Sequence, residues 1–132
     1  MAVERVKVHC VQIEDKPGSL HRFLSQSSLS GVDFLCFAAF SCGENKGRVV
    51  VSAKDPKTFE NFAREAKLKV TEAAGFIVDG IDRIGAAGEV LGTLAENDIA
   101  GIAGTAIACE GSYRMLIVVD SKNAERAEKL LK

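Results

Sequence analysis

Two stretches of this chain repeat one another, and that limits what the chain can fold into more than any other feature. Asp15-Lys16-Pro17-Gly18 recurs 67 residues later as Asp82-Arg83-Ile84-Gly85. At the same spacing Leu24 falls on Leu91, Cys42 on Cys109 and Val51 on Val118, with no gap opened from Asp15 through the following hairpin. Internal duplication is the simplest account. The chain is therefore read as two like halves, residues 1–73 and a degenerate, truncated second half at 74–132.

The first half reads βαββαβ. Val3 to Ile13 alternates as a strand, with Val6, Val8 and Cys10 on one side and Lys7, His9 and Val11 on the other. At the turn that follows, Asp15 can accept bonds from free amides, Pro17 presets φ for a first helical turn, and Gly18 lets another group approach the backbone. Pro17 to Leu29 has helical spacing that buries Leu20, Phe23 and Leu24, and Gly31 stops it. Val32 to Cys42 is a long strand with Val32, Phe34, Cys36, Ala38, Phe40 and Cys42 on one face. Gly43 to Gly47 is turn chemistry leading into Arg48 to Ala53. Asp55-Pro56 opens a second helix around Phe59, Phe62, Ala63 and Ala66, and Leu68 to Thr71 is a short strand.

The second half begins with a strand at Phe76 to Ile81 and a helix burying Ile84, Ala87, Val90, Leu91 and Leu94. Strands at Ile99 to Cys109 and Tyr113 to Val119 follow, then a last helix burying Ala124, Ala127, Leu130 and Leu131. This copy has no fourth strand of its own. An open edge invites pairing, so a second chain is the expected cover, giving a homodimer.

Composition closes several routes. A net charge of −1 with both signs interleaved gives no field for nucleic acid or an acidic membrane. No apolar run approaches the roughly 20 residues of a membrane span, and the first residues lack a signal-peptide pattern, so the cytoplasm is expected. Cys10, Cys36, Cys42 and Cys109 form no C-x-x-C pair and no zinc spacing, and read as buried, reduced thiols.

Val11-Gln12-Ile13-Glu14-Asp15-Lys16-Pro17-Gly18-Ser19-Leu20, then Phe23-Leu24, then Gly31-Val32-Asp33-Phe34, resembles the ACT family of small regulatory domains. The likeness is to that family's strand, D-x-P-G-x-L corner, and helix ending in G-V-[ND]-[IL]. It covers the chain as two copies, strongly in the first and weakly in the second. What it implies is an α+β fold of tandem ferredoxin-like βαββαβ units, the second lacking its last strand, with antiparallel sheets and helices on one face. It also implies a non-enzymatic protein, without cofactor, that binds a small amino acid between paired domains and serves an amino-acid biosynthetic enzyme. Carried over by position, the ligand residues are Ile13, Asp15, Lys16, Pro17, Gly18, Ser19, Leu20 and Asp33, completed by Asp82 and Gly85 of the second copy. Free amides near Gly18 and Ser19 suit a carboxylate, and Asp15 or Asp33 suits an ammonium. The second copy departs from the pattern: Ile84 replaces Pro17, Ala87 replaces Leu20 and Ala100 replaces Asp33.

Other chemistries have less behind them. RNA-binding βαββαβ units stack bases on strand aromatics, whereas Val50 and Ser52 stand here. His9 and His21 have no convergent metal-ligating partners in sequence. The serines between Ser25 and Ser30 lack G-x-S-x-G and a placed His-Asp pair. The glycines from Gly80 to Gly111 form no G-x-G-x-x-G turn, and close backbone approach between copies is the plainer reason for them. The alternative to ligand binding is a scaffold that keeps the fold for dimerisation alone.

Overall fold

Alternating apolar residues on two paired strands leave one face of a sheet to be covered, and two amphipathic helices cover it in each half of the chain. The computed structural model describes residues 1–132, in the order β1 (Ala2–Glu14), α1 (Ser19–Leu29), β2 (Phe34–Gly43), β3 (Lys46–Ala53), α2 (Pro56–Glu65), β4 (Val70–Ile81), α3 (Ala86–Glu96), β5 (Gly101–Cys109), β6 (Ser112–Val119) and α4 (Ala124–Leu131). Residues Lys7–Glu72 make one compact unit, and Met1–Val6 with Ala73–Lys132 make the other.

In the first unit the strand order is β2-β3-β1-β4. Val11 of β1 and Val49 and Val51 of β3 meet Phe23 of α1 and Phe59 and Phe62 of α2 in one core. Phe59 is fully buried, with the rings of Phe23, Phe34 and Phe62 at 6.4, 6.1 and 6.1 Å. His9, buried on the same face, lies 5.0 Å from the Phe59 ring, and its Nε2 is 3.0 Å from Glu60. Lys7 reaches the same carboxylate at 2.8 Å.

In the second unit the order is β1-β4-β6-β5. Its core is almost entirely aliphatic: Val78 of β4, Ile117 and Val119 of β6, and Val90 and Leu94 of α3 pack with Ala127 and Leu131 of α4 around the single ring of Phe76. The fourth strand that the second copy lacks is supplied by the chain's own N-terminal residues. Val3 packs against this core, and Arg5 bridges Glu125 at 2.9 Å and Glu128 at 3.1 Å on α4. That edge of β4 is thus already paired, and a second chain is not needed there.

Helix ends repeat as faithfully as the strands. The residues after α1, α2 and α3 (Gly31, Lys67 and Asp98) all take positive φ, at 81, 56 and 59°. The next amide in each case bonds back to the last turn: Val32 to Ser27, Leu68 to Ala63 and Ile99 to Leu94, at 3.0, 2.9 and 3.0 Å. This is a Schellman closure, and only α1 uses glycine for it.

Several expectations need correcting. Leu68 to Thr71 and Phe76 to Ile81 are not separate strands but parts of β4, which runs without a break. The repeat is not ungapped through the hairpin. His9 stands opposite Val51 and Phe76 opposite Ile117, so the counterpart of Val51 is Ile117 rather than Val118. The lost residue is a bulge: the β2–β3 register jumps from Ser41↔Gly47 to Gly43↔Lys46, whereas β5–β6 runs unshifted into its turn. A second bulge between Phe34 and Cys36 breaks the single face expected of β2, putting Phe34 opposite Ala53 and Cys36 opposite Ser52. On α3 it is Ala86, Val90 and Leu94 that are buried, while Ile84, Ala87 and Leu91 are exposed. Cys42 and Cys109 are exposed at strand ends, and only Cys10 and Cys36 are partly covered, with burial raising both thiol pKa values. The glycines answer to their own units: Gly85 and Gly111 take positive φ, Gly80 lies under a tyrosine ring, and Gly88 and Gly92 face open space.

Two measurements follow. Lys67→Gly should raise stability by roughly 0.5–1 kcal/mol in urea unfolding, since a left-handed lysine costs more than glycine's extra freedom in the unfolded chain. Glu60 is held below the usual carboxylate range, first by Lys7 and then by His9. A carboxyl depressed in the folded state stabilises above its unfolded pKa and loses that contribution as pH falls through the folded value. Unfolding scans below about pH 4.3 should therefore show a shallower loss of stability in Glu60→Gln than in the parent.

Candidate functional site

The corner between β1 and α1 is built by Gly18, whose φ of 87° lets the strand turn into a helix within a few residues. Gly85 repeats the conformation at the start of α3, with φ 87°. The hydrogen bonds repeat too. Ser19 and Ala86 amides bond to Lys16 and Arg83 carbonyls at 3.2 Å, and Arg22 and Glu89 amides to Gly18 and Gly85 carbonyls at 2.9 and 3.0 Å.

The helices differ at their starts. At α2 the Asp55 carboxylate accepts from the Lys57 amide at 3.1 Å and the Thr58 hydroxyl at 2.8 Å. At the turn before α4, Asp120 accepts from the Lys122 amide at 3.0 Å. Neither α1 nor α3 has a side-chain cap. The corners of both repeats therefore present helix amides without an internal acceptor, the arrangement that favours an anion.

The sequence-derived residues divide into three groups. Asp15 is exposed; its amide bonds to the Asn45 carbonyl at 2.8 Å, and the Ser41 hydroxyl donates to its carboxylate. Lys16, Pro17 and Gly18 form the exposed rim, where Lys16 sits 2.9 Å from Glu14 and holds that carboxyl below its usual range. Ile13, Ser19 and Leu20 are half-buried, and Ile13 and Ser19 line a cavity of about 250 Å³ beside Phe23, Gln26 and Phe62.

Asp33 stands apart, exposed and 2.9 Å from Lys54. Asp15 is joined to Ser41, which lies eight residue steps along the chain from Asp33. Along a strand that is roughly 26 Å. One unit does not bring Asp15 and Asp33 to a single small ligand. Asp82 and Gly85 lie exposed at the second corner, where the Asp82 amide bonds to Gly111 at 2.9 Å.

Sequence reasoning missed a larger cavity in the second unit, of about 370 Å³, lined by Gly80, Arg83, Glu89, Val90, Tyr113 and Leu131 among others. Arg83 donates to Glu89 through Nη1, at 2.9 Å, and Nη2, which raises the arginine pKa and lowers that of the carboxyl. The available signal was the repeat itself, which sets Gly80 where Ile13 stands.

No group of three or more His, Cys, Asp or Glu side chains is placed to hold a metal ion, and no helix is long and apolar enough to cross a membrane. The fold matches solved structures along nearly the whole chain. Protein BT0572 from Bacteroides thetaiotaomicron superposes with a TM-score of 0.79 at 15% identity, covering 98% of this chain and 88% of that one. The aspartokinase alpha and beta subunits give 0.69 at 16%, covering 98% and 93%. The regulatory subunit of aspartate kinase from Thermus thermophilus, in ligand-free form, gives 0.64 at 12%, also covering 98% and 93%. No family model matches the sequence. No curated protein matches it. At these identities the likeness shows a fold shared with aspartate kinase regulatory subunits.

Gly18→Ala and Gly85→Ala test the corners. A Cβ at either position meets nothing within 4 Å, so the cost is in the backbone alone. Each should destabilise by roughly 1 kcal/mol in chemical unfolding, the left-handed penalty less the freedom removed from the unfolded chain.

Proposed function

We propose that the chain is a regulatory protein of amino-acid metabolism, without catalytic activity of its own, that binds a small amino acid at the first βα corner. The observation that carries this is the uncapped start of α1 beside Asp15. The α1 amides that follow Ser19, whose own amide bonds to Lys16, take the ligand's carboxylate, Asp15 takes its ammonium, and Ile13 and Leu20 form the apolar wall, with Lys16 and Pro17 at the rim. Because Asp33 lies at the far end of β2, its part in such a site falls to a second copy of the fold, as in a homodimer; Asp82 and Gly85 offer a reduced version of the corner. The regulated partner is an amino-acid biosynthetic enzyme, in keeping with the likeness to aspartate kinase regulatory subunits. The setting is the cytoplasm, where four free cysteines stay reduced.

A scaffold reading has its own support. Asp15 is already engaged by Ser41 and Asp33 by Lys54, so both carboxylates have partners without a ligand. A thermal-shift screen over the twenty amino acids separates the two. A ligand at a hundred times its dissociation constant adds about 2.7 kcal/mol of stability. Asp15→Ala should remove that shift and leave the apo melting curve cooperative. A flat screen means a scaffold.

A further inference from the structure

The second unit's cavity lies between the first turns of α3 and the last turn of α4, over the ends of β4 and β6. The first unit has its counterpart of about 250 Å³ at the matching place. Aligned through the repeat, Ile13, Ser19, Phe23 and Gln26 of the smaller cavity become Gly80, Ala86, Val90 and Thr93 of the larger. Every one of these changes removes side-chain volume.

The cross-strand pair at its floor is inverted. In the first unit Ile13 stands over Gly47, whose Cβ would meet the isoleucine at 3.3 Å. In the second, Gly80 lies under Tyr113, and a Cβ there would come within 2.5 Å of the ring. A phenol thus replaces an aliphatic side chain. Arg22 becomes Glu89, which pairs with Arg83 at the rim; both side chains are more than half exposed, at 54% and 63% for the arginine and glutamate.

A volume of this size, with Val90 and Leu131 on one side and Arg83, Glu89 and Thr93 among its polar lining, suits a small organic ligand that is itself part polar and part apolar. The charge pair selects its class. A simple anion drawing Arg83 away leaves Glu89 unpaired beside it, and a simple amine does the reverse. A zwitterion replaces both bonds at once. An ion pair this exposed contributes little by itself, so exchanging it costs little.

We propose that this cavity is a second ligand site that takes a small zwitterion with an apolar or aromatic side chain, its carboxylate on Arg83, its ammonium on Glu89 and its tail against Val90 and Leu131. The proposal does not rest on the corner reading, since the two sites share no residue.

The test is an amide NMR titration of the full chain with L-leucine and L-phenylalanine. Leucine's 2-oxo acid and 3-methylbutylamine serve as probes lacking one charge each. Leucine or phenylalanine should move Ala86, Thr93, Tyr113 and Leu131, with each single-charge probe at least tenfold weaker. Val90→Phe with Thr93→Gln, which restores the first repeat's residues, should abolish those shifts. Glu89→Gln, at an exposed position, should weaken them at least tenfold and decides the matter if the filled variant does not fold. No movement at these residues, equal movement by the single-charge probes, or no effect of Glu89→Gln overturns the proposal. Shifts confined to residues 15–20 overturn it while supporting the corner site.

Discussion

A glycine held at φ 87° opens each of the two helices that follow a central strand, and the architecture hangs on that one backbone conformation. A residue with a Cβ pays a steric penalty there, so the turn from strand to helix is made in a handful of residues only because Gly18 and Gly85 have none. The sharp reversal returns α1 and α3 onto the apolar face of the strands they leave, where Phe23 and Leu94 enter their cores. The left-handed residue fills the cap position in place of Ser, Asp or Asn, so the helix amides stay unmet by any side chain. Packing and anion readiness thus have one cause.

Divergence between the repeats is concentrated where packing tolerates it. The closures after α1 and α3 share the bonds Val32 to Ser27 and Ile99 to Leu94, and Gly31 to Ser28 and Asp98 to Ala95, although Gly31 in one is Asp98 in the other. The cores differ in kind, one filled by a cluster of phenylalanines and the other by branched aliphatics. Aromatic rings fill space that smaller side chains leave, and a cavity of about 370 Å³ opens beside Val90 in the second unit where the first has Phe23 and about 250 Å³.

Much of the fold was legible because its periodicities are strong. The α+β class, the helices, the hairpins and the corner glycines could all be read from alternation, spacing and turn residues. The misreadings share a physical origin in local irregularity. A β-bulge at Cys42 adds a residue without altering composition, so the ungapped alignment set Val51 on Val118 instead of Ile117. Ile84, Ala87 and Leu91 were assigned to the core beside Val90 and Leu94 because a helix as apolar as α3 shows no clear polar face; the buried stripe keeps Val90 and Leu94 and takes Ala86 as its first member. At the candidate site the chain revealed the corner, but not that Asp33 stands a strand's length from it. Nor did it reveal the second unit's cavity, because a glycine reads as missing chemistry until the ring lying across it is seen.

The pairing of Met1–Val6 with Ala73–Lys132 has a consequence for how the molecule comes to be. These first residues leave the ribosome well before the strands and helices they complete, and must wait while the Lys7–Glu72 unit is synthesised. That unit draws on one continuous segment and closes through shorter loops. The other depends on a contact of long sequence separation, which slows its assembly. Until that contact forms, the flank of β4 is bare, and a neighbouring molecule's N-terminal segment can occupy it just as well, so exchange of this strand between chains is the natural misassembly of this topology.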